Sequence, residues 1–368
     1  MSSALNKTGL KKQWGPNALV GMAGTQEEVK MKKSLFIGAL AAAIAAGGLA
    51  SAQTLDDVKA RGKINCGVTE GTLGFSARDS EGKHQGFDVD FCRALGAAIF
   101  GDTEAVEYIE LSSKNRFTAL SAGQVDLLYR TTTWTFSRDV DLKTSFVGIN
   151  YYDGQGFMVP TALGVSSAKE LDGATVCIET GTTTELNLAD FFRINSMSFT
   201  PLPVGGTTEA KALFEEGACD VYTTDASALA GVRASLKDPN AFQILPEIVS
   251  KEPLGPTVRH GDNQWEDVVR WTQNALVAAE ELGVTSANVA ELAGGTDNPE
   301  INRMLGSEGS LGAMLGLDAD WAVRAIAATG NYGEIFERNI GENTPIGLAR
   351  GLNALWTQGG LQYSPPFR

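Results

Sequence analysis

The residues best suited to chemistry sit in a few short segments. Thr131-Thr132-Thr133-Trp134-Thr135-Phe136-Ser137-Arg138 places a guanidinium behind a run of hydroxyls. Gly181-Thr182-Thr183-Thr184 leads into a helical pattern from Glu185, and an apolar run from Asp220 ends at Asp225. The loop Thr69-Glu70-Gly71-Thr72-Leu73-Gly74-Phe75 adds further hydroxyls and an acid. Such groups hold ions; they do not by themselves make or break bonds. Arg grips a carboxylate through two parallel N–H donors, whereas Lys is a point charge. A helix N-terminus favours an anion, and a buried cation needs a carboxylate partner. Each residue also has a plainer role: Arg138 as a solvated surface side chain, Asp225 as a helix N-cap before Ala-Ser-Ala-Leu, and Thr182 to Thr184 as capping hydroxyls.

Signs of nucleophilic, phosphate or metal chemistry are missing. There are two histidines, His84 and His260, both in polar stretches. No G-x-S-x-G elbow, P-loop, H-E-x-x-H or dinucleotide fingerprint occurs. Cys66, Cys92, Cys177 and Cys219 have no zinc-ligand spacing, so neither metal nor cofactor is expected. An even number permits disulfides in an oxidising compartment, and four buried thiols fit equally well. If they pair, Cys66–Cys92 and Cys177–Cys219 keep each bridge inside one half of the chain.

The 368 residues suffice for two lobes of ordinary size, and 43 % hydrophobic residues supply their cores. The net charge of −14 argues against nucleic acid, which demands clustered Lys and Arg. Residues 31–52 read as a signal peptide: Lys32 and Lys33, an apolar stretch from Leu35 to Leu49, then Ala50-Ser51-Ala52. Cleavage after Ala52 sends the chain to the periplasm and leaves Gln53 first, with no Cys for a lipid anchor. Residues 1–30 precede the natural start of such a signal and are set aside as a non-native or unstructured extension. Residues 1–52 carry a net +4, which leaves −18 for the exported chain.

The elements that must position the ion-holding residues alternate. Lys63–Val68, Val106–Leu111 and Val125–Leu128 read as strands separated by helices, which points to a parallel α/β sheet. The pattern repeats with Ala174–Ile178, Ser198–Val204 and Asp220–Thr223. SAGQVDLLYRT and EEGACDVYTTD mark equivalent places in two units of one architecture. In open α/β sheets ligands bind beyond the C-terminal strand ends, so the loops Thr69–Phe75, Arg130–Arg138, Thr180–Thr184 and Thr223–Asp225 are expected to face one shared cleft. Helices follow around Trp265–Leu282 and Asp318–Thr329, and the aromatic tail is expected to wrap a lobe.

In this order, GFDVDFCRAL, SKNRFTALSAGQVDLL, TTTWTFSRD, TGTTTELNL and CDVYTTD resemble the polar amino-acid-binding proteins of ABC transporters. YYDGQGFMV, VSKEPLGP, GNYGEIFERN and GLNALWTQGG narrow the resemblance to the general L-amino-acid and glutamate/glutamine/aspartate/asparagine binders. The resemblance implies an α/β, periplasmic-binding-protein-like fold: two parallel-sheet lobes joined by a two-strand hinge, with the ligand between them. Crossovers are expected near Gln155–Met158 and Lys251–Leu254, so that 53–155 and 252–368 form lobe one and 156–251 lobe two.

The resemblance also implies roles. Arg138 clamps the ligand carboxylate, and Asp225 holds the ammonium. The Thr131 carbonyl and the Thr133 hydroxyl add ammonium and carboxylate contacts, and Thr183, beside Thr182, gives its N–H to the carboxylate. Thr72 stands where many relatives carry a stacking aromatic residue, which suits a more open pocket. Trp134 would then supply an apolar wall or pack in the core, and Glu70 meets a substrate cation or water. The implied partners are an L-amino acid and the membrane permease of a transporter, the chain itself acting as a monomer without enzymatic activity. A dehydratase-like enzyme on the same fold and a ligand-presenting sensor are the rivals.

Overall fold

The computed structural model describes residues 53–368; the proposed extension and signal peptide lie outside them. Two five-stranded sheets form the two lobes. In lobe one, β1 (Ile64–Val68) is followed by the short pair β2 (Ala77–Arg78) and β3 (His84–Gln85), then β4 (Val106–Glu110), β5 (Leu127–Leu128) and β6 (Thr144–Phe146). After β7 (Tyr151–Asp153) the chain enters lobe two, which holds β8 (Gln155–Pro160), β9 (Thr175–Glu179), β10 (Thr200–Val204), β11 (Val221–Asp225) and β12 (Phe242–Ile244). It returns through β13 (Glu252–Leu254) to β14 (Thr257–Arg259) in lobe one.

The sheet orders are β4-β1-β5-β14-β6 and β10-β9-β11-β8-β12. Both sheets are mixed rather than wholly parallel. β1 runs parallel to β4 and β5, and β9 runs parallel to β10 and β11. The strands next to the crossings, β14 and β8, are antiparallel to their neighbours. They must be, because a chain that leaves one lobe and enters another arrives from the cleft side.

The crossing strands pair with each other: Asp153 faces Glu252, Tyr152 faces Pro253 and Tyr151 faces Leu254. The first crossing therefore lies at Tyr151–Gly154 and not at Gln155–Met158. Gln155 to Val159 is buried throughout, as a central strand flanked on both faces must be; that run belongs inside the second sheet. The returning strand of this pair is Glu252–Leu254.

Helix Phe87–Phe100 packs against β1, burying every residue but Arg93 and Phe100, and closes on Gly101 at φ 71°. Cys92 on this helix is bonded to Cys66 on β1, and Cys177 on β9 is bonded to Cys219 just before β11, with Cα separations of 6.4 and 5.6 Å. The chain beyond β14 packs on lobe one. Phe367 is buried against Trp271 and Trp321. The Asn353 side chain accepts from the Tyr152 N–H and donates to the Tyr152 carbonyl, at 2.7 and 3.1 Å, on a hinge strand. Among the described residues no helix is long and apolar enough to cross a membrane.

Candidate functional site

Loops from the C-terminal strand ends of both sheets meet at one polar cavity with about 420 Å³ of empty space. Lobe one lines it with Thr69, Thr72, Ser113, Arg116, Arg130, Thr131 and Thr133. Lobe two supplies Glu179, Thr182–Thr184, Thr207 and Asp225. The lobes touch across it. Ser113 Oγ donates to Glu179 at 3.1 Å, and the Thr72 and Thr207 hydroxyls lie 3.5 Å apart. The approach is close enough that a Cβ built on Gly231 would sit 2.4 Å from the Leu73 carbonyl oxygen of the opposite lobe.

The lobe-one wall is cationic. Arg130 is buried, donating from Nε to the Leu111 carbonyl at 2.8 Å and from Nη2 to Ser113 Oγ at 3.1 Å. Arg116 is also buried, and its Nε has no hydrogen-bond partner. Burial depresses the proton affinity of both, and for Arg116 the neighbouring charges of Arg138 and Arg130 depress it further. Thr131, next to Arg130 in the cavity wall, has φ 42°, a strained conformation for a β-branched residue. Its N–H donates to Asp88 at 3.1 Å, which helps hold the turn, and burial pushes the Asp88 carboxyl up to about 7.

The lobe-two wall is anionic and rich in donors. Asp225 occupies the N-cap position of helix Ala226–Ala234 without making a side-chain cap bond, so its carboxyl is free for the cavity. Burial raises its pKa well above the usual range, the nearby Asp153 and Glu252 charges raise it further, and Arg116 opposes them. Glu179 accepts from Thr207 and Tyr222 as well as from Ser113. Thr182 caps helix Thr183–Ile194 by accepting from the Glu185 N–H at 3.1 Å. The first-turn N–H groups of Thr183 and Thr184 have no partner within the helix, as at any helix start, and they face an anion-favouring end.

Of the residues read from sequence, Thr72, Thr131, Thr133, Thr182, Thr183 and Asp225 line the cavity. Arg138 and Trp134 do not. Arg138 is buried beside the cavity, donating to the Thr133 carbonyl at 2.8 Å with its guanidinium 5.2 Å from the Phe117 ring. Burial pushes it down to about 10. Trp134 is 40 % exposed, stacks on Phe146 and donates to Asp139, so it forms no pocket wall. Sequence reasoning missed Arg116, Arg130 and Glu179 as cleft groups. The signals were present: Arg130 opens a loop expected in the cleft, Glu179 precedes another, and Arg116 lies inside SKNRFTAL. Among the described residues no group of His, Cys, Asp and Glu is arranged to hold a metal ion.

A family described as bacterial extracellular solute-binding proteins, family 3, matches residues 64–288. This chain belongs to that family. Within it, the chain is 61 % identical to the glutamate/glutamine/aspartate/asparagine-binding protein BztA of Rhodobacter capsulatus, over 92 % of this chain and all of that one. It is 54 % identical to the general L-amino acid-binding periplasmic protein AapJ of Rhizobium johnstonii, again over 92 % of this chain and all of the other. A solved ABC-transporter periplasmic binding protein from Brucella ovis, with glutathione bound, has a TM-score of 0.84 at 55 % identity, covering 86 % of this chain and 99 % of that one. The family match stops at residue 288, so the C-terminal layer on lobe one, including Asn353, lies beyond it.

Proposed function

We propose that this chain is the periplasmic substrate-binding component of an amino-acid ABC transporter, capturing free L-amino acids by lobe closure and delivering them to the membrane permease. The observation that carries the reading is the cleft itself: a wall of buried guanidiniums on one lobe opposite Asp225 and helix N–H donors on the other. A zwitterion satisfies both walls at once, and only the closed cleft brings the lobe-one arginines and Asp225 of lobe two onto it together. Such a ligand binds the closed arrangement better than the open one, and that difference is what drives closure. Three like-charged guanidiniums buried within one wall are costly without counter-charge. Acidic and amide side chains relieve that cost, with Arg116, whose Nε is unpartnered, as the group that meets them. Arg138 reaches the α-carboxylate by exchanging its bond to the Thr133 carbonyl for one to the ligand. The relatives' names agree with a carrier role and not with an enzyme.

A second ligand class follows from the Brucella ovis protein. Glutathione carries, at its γ-glutamyl end, the same free ammonium and α-carboxylate as glutamate. The test is calorimetric titration of residues 53–368, refolded to strip ligand, with the twenty L-amino acids and glutathione. One-to-one binding of several amino acids is expected. Folded protein that binds none of them would sink the reading.

A further inference from the structure

Glu252 lies on hinge strand β13 and is buried. Four neutral donors converge on it. Thr133 and Thr183 both give their hydroxyl protons to Oε2, at 2.6 and 2.7 Å. Asn187 Nδ2 and the Ser250 hydroxyl donate to Oε1, at 2.8 and 2.7 Å. Thr133 belongs to the lobe-one turn and bridges to Leu254 of the hinge; Thr183 and Asn187 belong to the lobe-two helix. A single carboxylate in the joint thus holds one cavity-lining hydroxyl from each lobe, and those hydroxyl oxygens are 3.4 Å apart.

A hydroxyl has one proton and two lone pairs. With both protons committed to Glu252, Thr133 and Thr183 offer the cavity only lone pairs. They then accept and do not donate. We infer that Glu252 is a positioning residue that sets the hydrogen-bond polarity of the cleft: it turns the two threonine hydroxyls into acceptors for the ligand ammonium, and it does so only when both lobes are brought to the hinge. This rests on the amino-acid reading above and reverses the part given to the Thr133 hydroxyl from sequence, a carboxylate contact.

Glu252→Gln is the isosteric test. Asn187 presents its Nδ2 donor and Ser250 its hydroxyl proton on that side, so the new amide that keeps both bonds turns its oxygen toward them. Its NH2 then faces Thr133 and Thr183, donates to them and turns their protons into the cavity. The probes are L-glutamine and 4-carbamoylbutanoate, which is the same molecule without the α-amino group. In the native protein, loss of the ammonium is expected to weaken binding by 100-fold or more. In Glu252→Gln that ratio is expected to shrink at least tenfold. Thr183→Val keeps the Glu252 charge and is expected to narrow the ratio by several-fold, with Thr183→Ser restoring it. Thermal unfolding checks that each variant is folded. If Glu252→Gln does not fold, the Thr183 pair decides alone. Equal weakening of both ligands, an unchanged ratio, or a Thr183→Val ratio like that of the native protein overturns the inference. A native protein that binds neither ligand overturns the amino-acid reading instead.

Discussion

The two walls of the cleft are built from different materials. Lobe one presents arginines held by carbonyls and an aromatic ring: Arg130 on Leu111, with Arg116 and Arg138 over Phe117 at 5.0 and 5.2 Å. Lobe two presents a carboxyl, Asp225, and the open end of a helix capped by Thr182. Fixed guanidiniums on one side and acids on the other give the cleft a direction. A zwitterion that enters reversed meets like charges at both ends. The contrast teaches that selection for an amino acid does not require either lobe to recognise the whole ligand. It also places the cost of like-charge burial inside each wall, where a ligand spanning the two relieves it.

The largest effect is expected from the acidic wall. Asp225→Asn removes the carboxylate that the ammonium needs, and breaking a buried ion pair costs about 3–5 kcal/mol. Calorimetry should show at least a 100-fold loss of affinity for every amino acid. The same substitution should leave the ligand-free protein as stable or more stable to heat, since a crowded buried acid has gone. Retained affinity would place the ammonium elsewhere.

The cationic wall should divide by residue. Arg116→Ala is expected to cost tens-fold for glutamate and glutamine but much less for serine, whereas Arg138→Ala should weaken all three alike. A uniform loss in both variants would mean that the arginines act as one undivided charge. Gly231→Ala probes the seam between the walls, because its methyl group would meet the Leu73 carbonyl of the other lobe where the two lobes touch. Affinity should fall about tenfold. The ligand-free protein should gain about 0.5–1 kcal/mol, the usual benefit of Ala over Gly within a helix. Ligand-bound and ligand-free melting curves that shift together would show that the contact is not specific to closure.

The smallest expected effect is in protons. Asp225 is raised by burial and by Asp153 and Glu252, and Asp153 is raised by burial to about 6. Raised carboxyls are neutral in the fold at a pH where the unfolded chain has already ionised. The stability that these two carboxyls contribute to the ligand-free protein is therefore fully present below about pH 4 and is lost as pH rises through the folded values. An ammonium ion beside Asp225 draws the proton off. Binding should release protons at a pH where Asp225 is still protonated without ligand, and affinity should climb with pH until Asp225 is ionised without ligand. Titrations in phosphate and Tris, whose ionisation heats differ, measure this directly; equal heats in the two buffers would count against it.

Most of the framework was readable from the residues. Strand–helix alternation, the two matching half-patterns and the loops at strand ends placed the cleft, because each depends on local periodicity. The positions of Thr72, Thr183 and Asp225 in the cavity followed from it. What escaped was set by tertiary contact. Arg116 reads as an ordinary residue at the start of a helix until Phe117 and the neighbouring lobe bury it. Trp134 reads equally as a pocket wall or a core residue until it is seen stacked on Phe146, outside the cavity. Glu252 sits in a segment, SKEPLGP, whose sequence reads as a strand-like crossing between lobes and says nothing of four donors arriving from both of them.

Each disulfide stays within one lobe: Cys66–Cys92 ties a strand to its covering helix, and Cys177–Cys219 ties a strand to the segment leading into its neighbour. No covalent bond other than the main chain spans the joint among the described residues. Oxidation therefore stiffens the jaws without touching the spring between them. The redox state of the surroundings and the presence of a ligand act on separate degrees of freedom, so a reductant should loosen how each jaw holds its shape before it alters how far the jaws travel.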